Sequence, residues 1–215
     1  MANGLMLKNV QLRLGNRELL RLDHFIAPGE IVTVMGPSGS GKSTLLAAIT
    51  GTLPPEFTMR GSIVLNNQDI SNLPTEERRI GILFQDDMLF PHMSVGENLA
   101  FGLKAEMRGR QERRETVAAA LRDVGLEGFA DRDPATLSGG QKARVSLMRA
   151  LLAEPQALLL DEAFSKLDAE LRSHVRQVVF DTARRKSLPV LQVTHDEADA
   201  NAAGGTIIRL QTVKP

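Results

Sequence analysis

Gly36, Pro37, Ser38, Gly39, Ser40, Gly41, Lys42, Ser43 and Thr44 form a run of small residues that ends on a lysine and two hydroxyls. With no side chains in the way, successive backbone N–H groups can turn inward and ring a phosphate. A helix opening at Lys42 would aim its N-terminal partial positive charge at the same point. The Lys42 ammonium would reach the β- and γ-phosphates of a nucleotide, and the Ser43 hydroxyl would ligate Mg2+. The acidic counterpart is Leu158, Leu159, Leu160, Asp161 and Glu162, an apolar run ending in two carboxylates. At the carboxyl edge of a parallel sheet such a pair faces the ligand crevice. Asp161 would hold Mg2+ through water, and Glu162 would polarise an attacking water. A strand ending in Asp-Glu is by itself more often an ordinary loop start, but the phosphate loop earlier in the chain reverses that reading.

Leu137, Ser138, Gly139, Gly140 and Gln141 make a second cradle, a hydroxyl and bare backbone N–H groups ahead of a helix expected over about 141–152. A lone Ser-Gly-Gly would be read as a plain helix N-cap. Between a phosphate loop and Asp161, it is read as a second phosphate contact.

The elements that must position these residues follow from hydrophobic patterning. Residues 10–14 and 19–26 alternate apolar with polar and predict an antiparallel strand pair. Residues 31–35 predict a strand running into the glycine-rich loop, and 42–50 a helix. Short strands are expected at 63–65, closed by Asn66-Asn67, and at 80–84. From 85 to 154 the period becomes helical, with apolar Val117, Leu121 and Val124. The basic cluster Arg108, Arg110, Arg113 and Arg114 could contact phosphate or lipid. Interleaved Glu106, Glu112 and Glu115 favour a solvated helix face. Apolar runs at 157–160, 188–193 and 206–210, with helices between, predict a parallel sheet covered on both faces.

Composition narrows the function classes. The 215 residues are 42% hydrophobic and carry 26 basic and 26 acidic side chains, so the net charge is zero. No basic surplus points to a nucleic-acid partner. With no cysteine, disulfides and thiolate metal sites are excluded, and the four histidines lack ligand spacing. No segment has the pattern of a secretion signal or the roughly 18 apolar residues of a membrane span.

With both phosphate loops and Asp161-Glu162 in order, the chain resembles the ATP-binding subunits of ABC transporters over nearly its whole length. Gln85 matches the family's Q-loop glutamine, Ser165-Lys166-Leu167-Asp168 its D-loop, and His195 in Val193-Thr194-His195-Asp196 its switch histidine. The resemblance implies an α/β P-loop NTPase with a mainly parallel sheet covered by helices, an N-terminal antiparallel β subdomain and an inserted helical subdomain. Residues 1–84 and 155–215 would form the catalytic core and 85–154 the helical insertion. It implies ATP and Mg2+ as ligands, with Ser43, Gln85 and Asp161 around the metal and Glu162, His195 and Gln85 at the reacting phosphate. Two copies would pack head to tail, each ATP lying between the P-loop of one and residues 137–141 of the other. The partners implied are integral-membrane permease subunits and a periplasmic solute-binding protein, with the chain peripheral on the cytoplasmic face of the membrane. Residues 77–85 and 90–98 resemble ATPases of bacterial importers of small solutes.

Three positions depart from the family pattern. Leu14 stands where an aromatic usually lies under adenine, and the chain has no Tyr or Trp. Weak base binding and little preference for ATP over GTP are therefore expected, and Leu14→Tyr would tighten ATP. Ala163 replaces a usual proline, and Lys166 a usual small residue. Two other classes share these motifs, a non-transport ABC ATPase on nucleic acid or ribosomes and a low-turnover regulatory subunit. The first lacks the long coiled-coil insertion or fused second cassette it would show, and the second would not need every catalytic position filled.

Overall fold

A computed structural model describes residues 3–86, 88–104, 106–167 and 169–210. Its contacts divide the chain into two compact units. The first comprises the described parts of Met1–Ile82, Gln156–Glu162 and Phe180–Pro215, and the second comprises Leu83–Pro155 and Ala163–Val179. The boundary thus falls inside a helix that the sequence reading assigned whole to the core.

The first unit holds an antiparallel sheet of β1 (Leu5–Leu14), β2 (Arg17–Ile26), β4 (Phe57–Leu65) and β5 (Gln68–Asp69), in the order β2-β1-β4-β5. A second sheet has the order β6-β7-β8-β3-β9, formed by β6 (Ile80–Leu83), β7 (Ala157–Asp161), β8 (Val190–Thr194), β3 (Ile31–Met35) and β9 (Ile207–Arg209). The pairs β7–β8, β8–β3 and β3–β9 run parallel. Every residue of β3 and β8 is buried, as expected of central strands covered on both faces. One consequence matters for the site: the carboxyl ends of β3, β8 and β7 lie side by side.

Helix α1 (Lys42–Thr50) leaves the end of β3 and shares one apolar cluster with both sheets through Leu45, Leu46, Ala48 and Ile49. Gly51 ends it in a left-handed conformation, φ 82°. Its last carbonyls meet a buried cation. The Arg78 guanidinium, 5% exposed, donates to the carbonyls of Ala48 (2.8 Å), Ile49 (3.0 Å), Leu73 (2.8 Å) and Ser71 (2.7 Å). Burial holds its pKa below the usual arginine range, and the helix C-terminus supplies the partial negative charge that offsets the cost.

The second unit contains α2 (Val95–Phe101), α3 (Arg110–Asp123), α4 (Gly139–Leu152) and the first part of α5 (Ala169–Arg185). Val117, Leu121 and Val124 are buried as their spacing predicts. Arg108, Arg110 and Arg114 face solvent. Arg113 instead turns back to the carbonyls of Met107 and Ala100, at 3.1 and 2.8 Å. The last helix, α6 (Glu197–Ala203), belongs to the first unit.

Candidate nucleotide site

The loop from Gly36 to Gly41 joins β3 to α1 and turns through positive φ at Gly39 (78°) and Gly41 (91°), a conformation that L side chains rarely adopt. Lys42 is 8% exposed, and its ammonium donates to the carbonyls of Gly36 (2.7 Å) and Pro37 (2.9 Å). Its charge is thereby fixed inside the loop. Ser40 is buried and its hydroxyl has no hydrogen-bond partner among the described residues, Ser43 is exposed and Thr44 half-buried. Lys42, Ser43 and Thr44 line a cleft of about 750 Å³, within the range typical of small-molecule sites, together with Pro37, Ser38, Leu14, Glu162 and His195.

Asp161 ends β7 and Glu162 follows it. Burial, then the neighbouring Glu162 charge, raises the Asp161 carboxyl above the usual carboxylate range, while Lys42 opposes the shift. A half-buried acid beside another acid and facing a lysine is a donor set that suits a divalent cation bridging to phosphate. Glu162 adopts φ 48°, which is strained for a non-glycine residue. Its N–H is held by the Val193 carbonyl at 3.0 Å. Ala163, unlike a proline, places no added restriction on the backbone of the residue before it.

The Glu162 carboxylate meets His195 Nδ1 at 3.1 Å. A carboxylate can only accept, so Nδ1 carries the proton. The residues around His195 hold it out from the end of β8. The Asp196 N–H donates to the Thr194 hydroxyl at 3.0 Å, and the Asp196 carboxylate caps α6 through the N–H groups of Ala198 and Asp199. The first unit therefore brings together the P-loop, Asp161, Glu162 and His195.

An immediate consequence concerns stability. Because the folded chain holds the Asp161 proton more tightly than the unfolded chain does, this group's cost to stability sets in as pH rises past its unfolded carboxylate value, is complete above its raised folded pKa, and vanishes below the unfolded value. Asp161→Asn should raise Tm at neutral pH, because the amide leaves no charge to bury. A lower Tm in a thermal melt would contradict the burial reading.

Gln85, the residues 137–141 and the D-loop lie in the second unit. Gln85 is exposed. Leu137 is buried, and Ser138 opens α4 with a capping box: its hydroxyl accepts from Gln141 N–H, while Gln141 Oε1 accepts from Ser138 N–H. The N-cap reading of Ser138 is thus true as local structure. The two glycines differ in their reasons. A Cβ on Gly140 would come within 2.3 Å of the Leu171 side chain, whereas one on Gly139 would find only Leu167 at 4.0 Å. Packing accounts for Gly140 but not for Gly139. In the D-loop, Arg172 holds the carbonyls of Ser165 (3.0 Å) and Leu167 (3.3 Å). The Lys166 ammonium forms an ion pair with Asp86, the residue after Gln85. Asp168 lies outside the described residues.

The ABC transporter family profile matches residues 19–165. This chain belongs to the ABC transporter family. It is 54% identical to the uncharacterized ABC transporter ATP-binding protein YnjD of Escherichia coli strain K12, over 92% of this chain and 91% of that one. It is 43% identical to the Fe(3+) ions import ATP-binding protein FbpC of Brucella abortus strain 2308, over 94% of this chain. Against FbpC 1 of Haemophilus influenzae the identity is 40%, over 95% of this chain. The chain spans 56% and 62% of the length of these two relatives. Its activity is accordingly that of the family's ATP-binding subunits, ATP hydrolysis coupled to transport.

Two features of the site escaped the sequence reading. Phe57 and Arg17 line the same cleft, opposite Leu14 on either side. Asn98 is fully buried and pins the segment after Gln85: its side chain accepts from Phe90 N–H (2.8 Å) and donates to the carbonyls of Phe90, Met93 and Ser94. The Asn98 signal, an amide inside an otherwise apolar helix face, was present in the sequence.

Proposed function

We propose that this chain is the ATP-hydrolysing subunit of a bacterial importer for a small solute, working as a homodimer that sandwiches two ATP and drives integral-membrane permease subunits. The observation that carries the proposal is the Glu162–His195 contact at 3.1 Å in the cleft that the P-loop lines. The Fe(3+) import named for the FbpC relatives supports import of a small solute. A periplasmic binding protein would deliver that solute. Among the described residues no helix is long and apolar enough to cross a membrane, so transport would rest on the permease.

Ser38 to Lys42 would cradle the phosphates, with Ser43, Asp161 and Gln85 holding Mg2+. Held there, Mg2+ would supply positive charge that offsets the charge of the phosphates. Glu162 accepts a proton from the attacking water. Protonated on both nitrogens, His195 can donate to Glu162 and to a γ-phosphate oxygen at once, which fixes water and phosphate in line. The Ser138 hydroxyl and the N–H groups at Gly139 and Gly140 would meet the ATP of the other copy. ATP closes the dimer because it binds the closed state far better than the open one, and hydrolysis removes the bridging charge.

The permease would dock beside Gln85. None of Met88, Leu89, Phe90 and Met93 is buried. Phe90 carries Phe101, itself 63% exposed, edge-on at 4.8 Å, so two rings and a 61% exposed Met88 present an adaptable apolar surface. Phe90→Arg should leave the subunit folded and able to bind ATP while abolishing co-purification with the permease and solute uptake. Unfolding of the variant would make Phe90 a core residue, and normal uptake would place docking elsewhere.

A further inference from the structure

Leu14 of β1 pairs with Arg17 of β2 on one side and with Phe57 of β4 on the other. Directly opposed residues of antiparallel strands share a face, with Cβ atoms about 5 Å apart. Arg17, Leu14 and Phe57 therefore form a row across three strands, and all three line the P-loop cleft. Leu14 is 43% exposed and Phe57 half-buried, so the row is open to a ligand and not closed by packing.

We propose that Phe57 supplies the aromatic face for the purine base, from β4, while Leu14 carries the base's apolar underside and Arg17 flanks it. This inference rests on the nucleotide-binding reading of the cleft and adds to it the residue that recognises the base. A ring on the strand next to Leu14 restores the π face that a leucine lacks. Base–aromatic stacking is sequence-tolerant because every base has such a face, and it is strongest for the larger purines. Selectivity therefore falls between purines and pyrimidines more than between ATP and GTP, and Leu14→Tyr adds little, in place of the tightening expected when Leu14 alone supports the base.

The test measures affinities of the full chain for Mg2+-ATP and for inorganic tripolyphosphate, which has no base. Phe57→Leu should bind ATP roughly tenfold more weakly, the size of a lost stacking contact, with tripolyphosphate affinity unchanged. Phe57→Trp should bind ATP at least as tightly as the parent. Because the chain has no other tryptophan, the emission of that variant should be quenched by ATP and not by tripolyphosphate. Parental ATP affinity in Phe57→Leu, equal losses for both ligands, or emission indifferent to ATP would each overturn the proposal. Lys42→Ala separates the two levels: if it bound both ligands like the parent, the nucleotide reading of the cleft itself would fall.

Discussion

Glu162→Gln should lower ATP turnover by about 10²- to 10⁴-fold, the range contributed by a positioned general base, and leave ATP affinity nearly unchanged. The substitution keeps the shape of the side chain and its capacity to accept from His195 Nδ1, now 3.1 Å from Oε1. An amide cannot take the proton from water, so the deficit falls on the chemical step. The phosphate contacts lie elsewhere, on the loop before α1. There is a secondary effect at Asp161. Burial is the first cause of its raised pKa and the Glu162 charge the second, so Asp161 should stay ionised to lower pH in the variant. Phosphate-release kinetics at saturating ATP measure the main effect. Parental rates would remove Glu162 from the role of base.

Lys42→Ala should weaken ATP binding by about 10- to 100-fold, because one charge-assisted contact to phosphate is worth about 1.5–3 kcal/mol. The loss extends to the loop itself. The Lys42 ammonium is what holds the carbonyls of Gly36 and Pro37, at 2.7 and 2.9 Å. Without it the Gly36 carbonyl loses this donor and the Pro37 carbonyl keeps the Ser40 N–H at 3.3 Å, so the loop is less firmly set. Calorimetric titration with Mg2+-ATP checks the size of the effect. A change of less than about twofold would mean that the lysine does not face phosphate.

Some elements could be read from the chain because one physical signal dominates each of them. The β-branched run at 31–35 and the helix at 42–50 lie where the sequence reading put them, since an apolar stretch meets Gly36 at one end and Gly51 at the other. The short motifs were legible for a similar reason: each packs a loop geometry and its chemistry into a few adjacent residues. The antiparallel sheet was read only in part. Strands were expected at 10–14 and 63–65, yet β1 begins at Leu5 and β4 at Phe57. Both misses lie across one irregularity. The β1–β4 register shifts between Lys8 and Gln11, where Asn9 has φ 48° and Gly61 φ 89°. A Cβ on Gly61 would lie 2.3 Å from the Asn9 carbonyl oxygen, so the strands close up there only through a glycine. A bulge flips the apolar face, and a period-2 pattern breaks at that point. The consequence reached the site, because Phe57 stands on the unread half of β4, opposite Leu14. Arg78 was illegible for another reason. Nothing local distinguishes a surface arginine from one that caps the end of a helix 28 residues earlier in the chain, at Thr50.

The ATP sandwich between two copies is tested most directly by the molar mass of the Glu162→Gln protein on a sizing column with light scattering. With Mg2+-ATP present, the mass should move to that of two chains and stay there through the run, because ATP is held and not consumed. Adding Ser138→Arg, which places bulk where the phosphate of the other copy would sit, should return it to the mass of one chain. A one-chain mass with ATP bound, or a two-chain mass indifferent to Ser138→Arg, would contradict the head-to-tail sandwich.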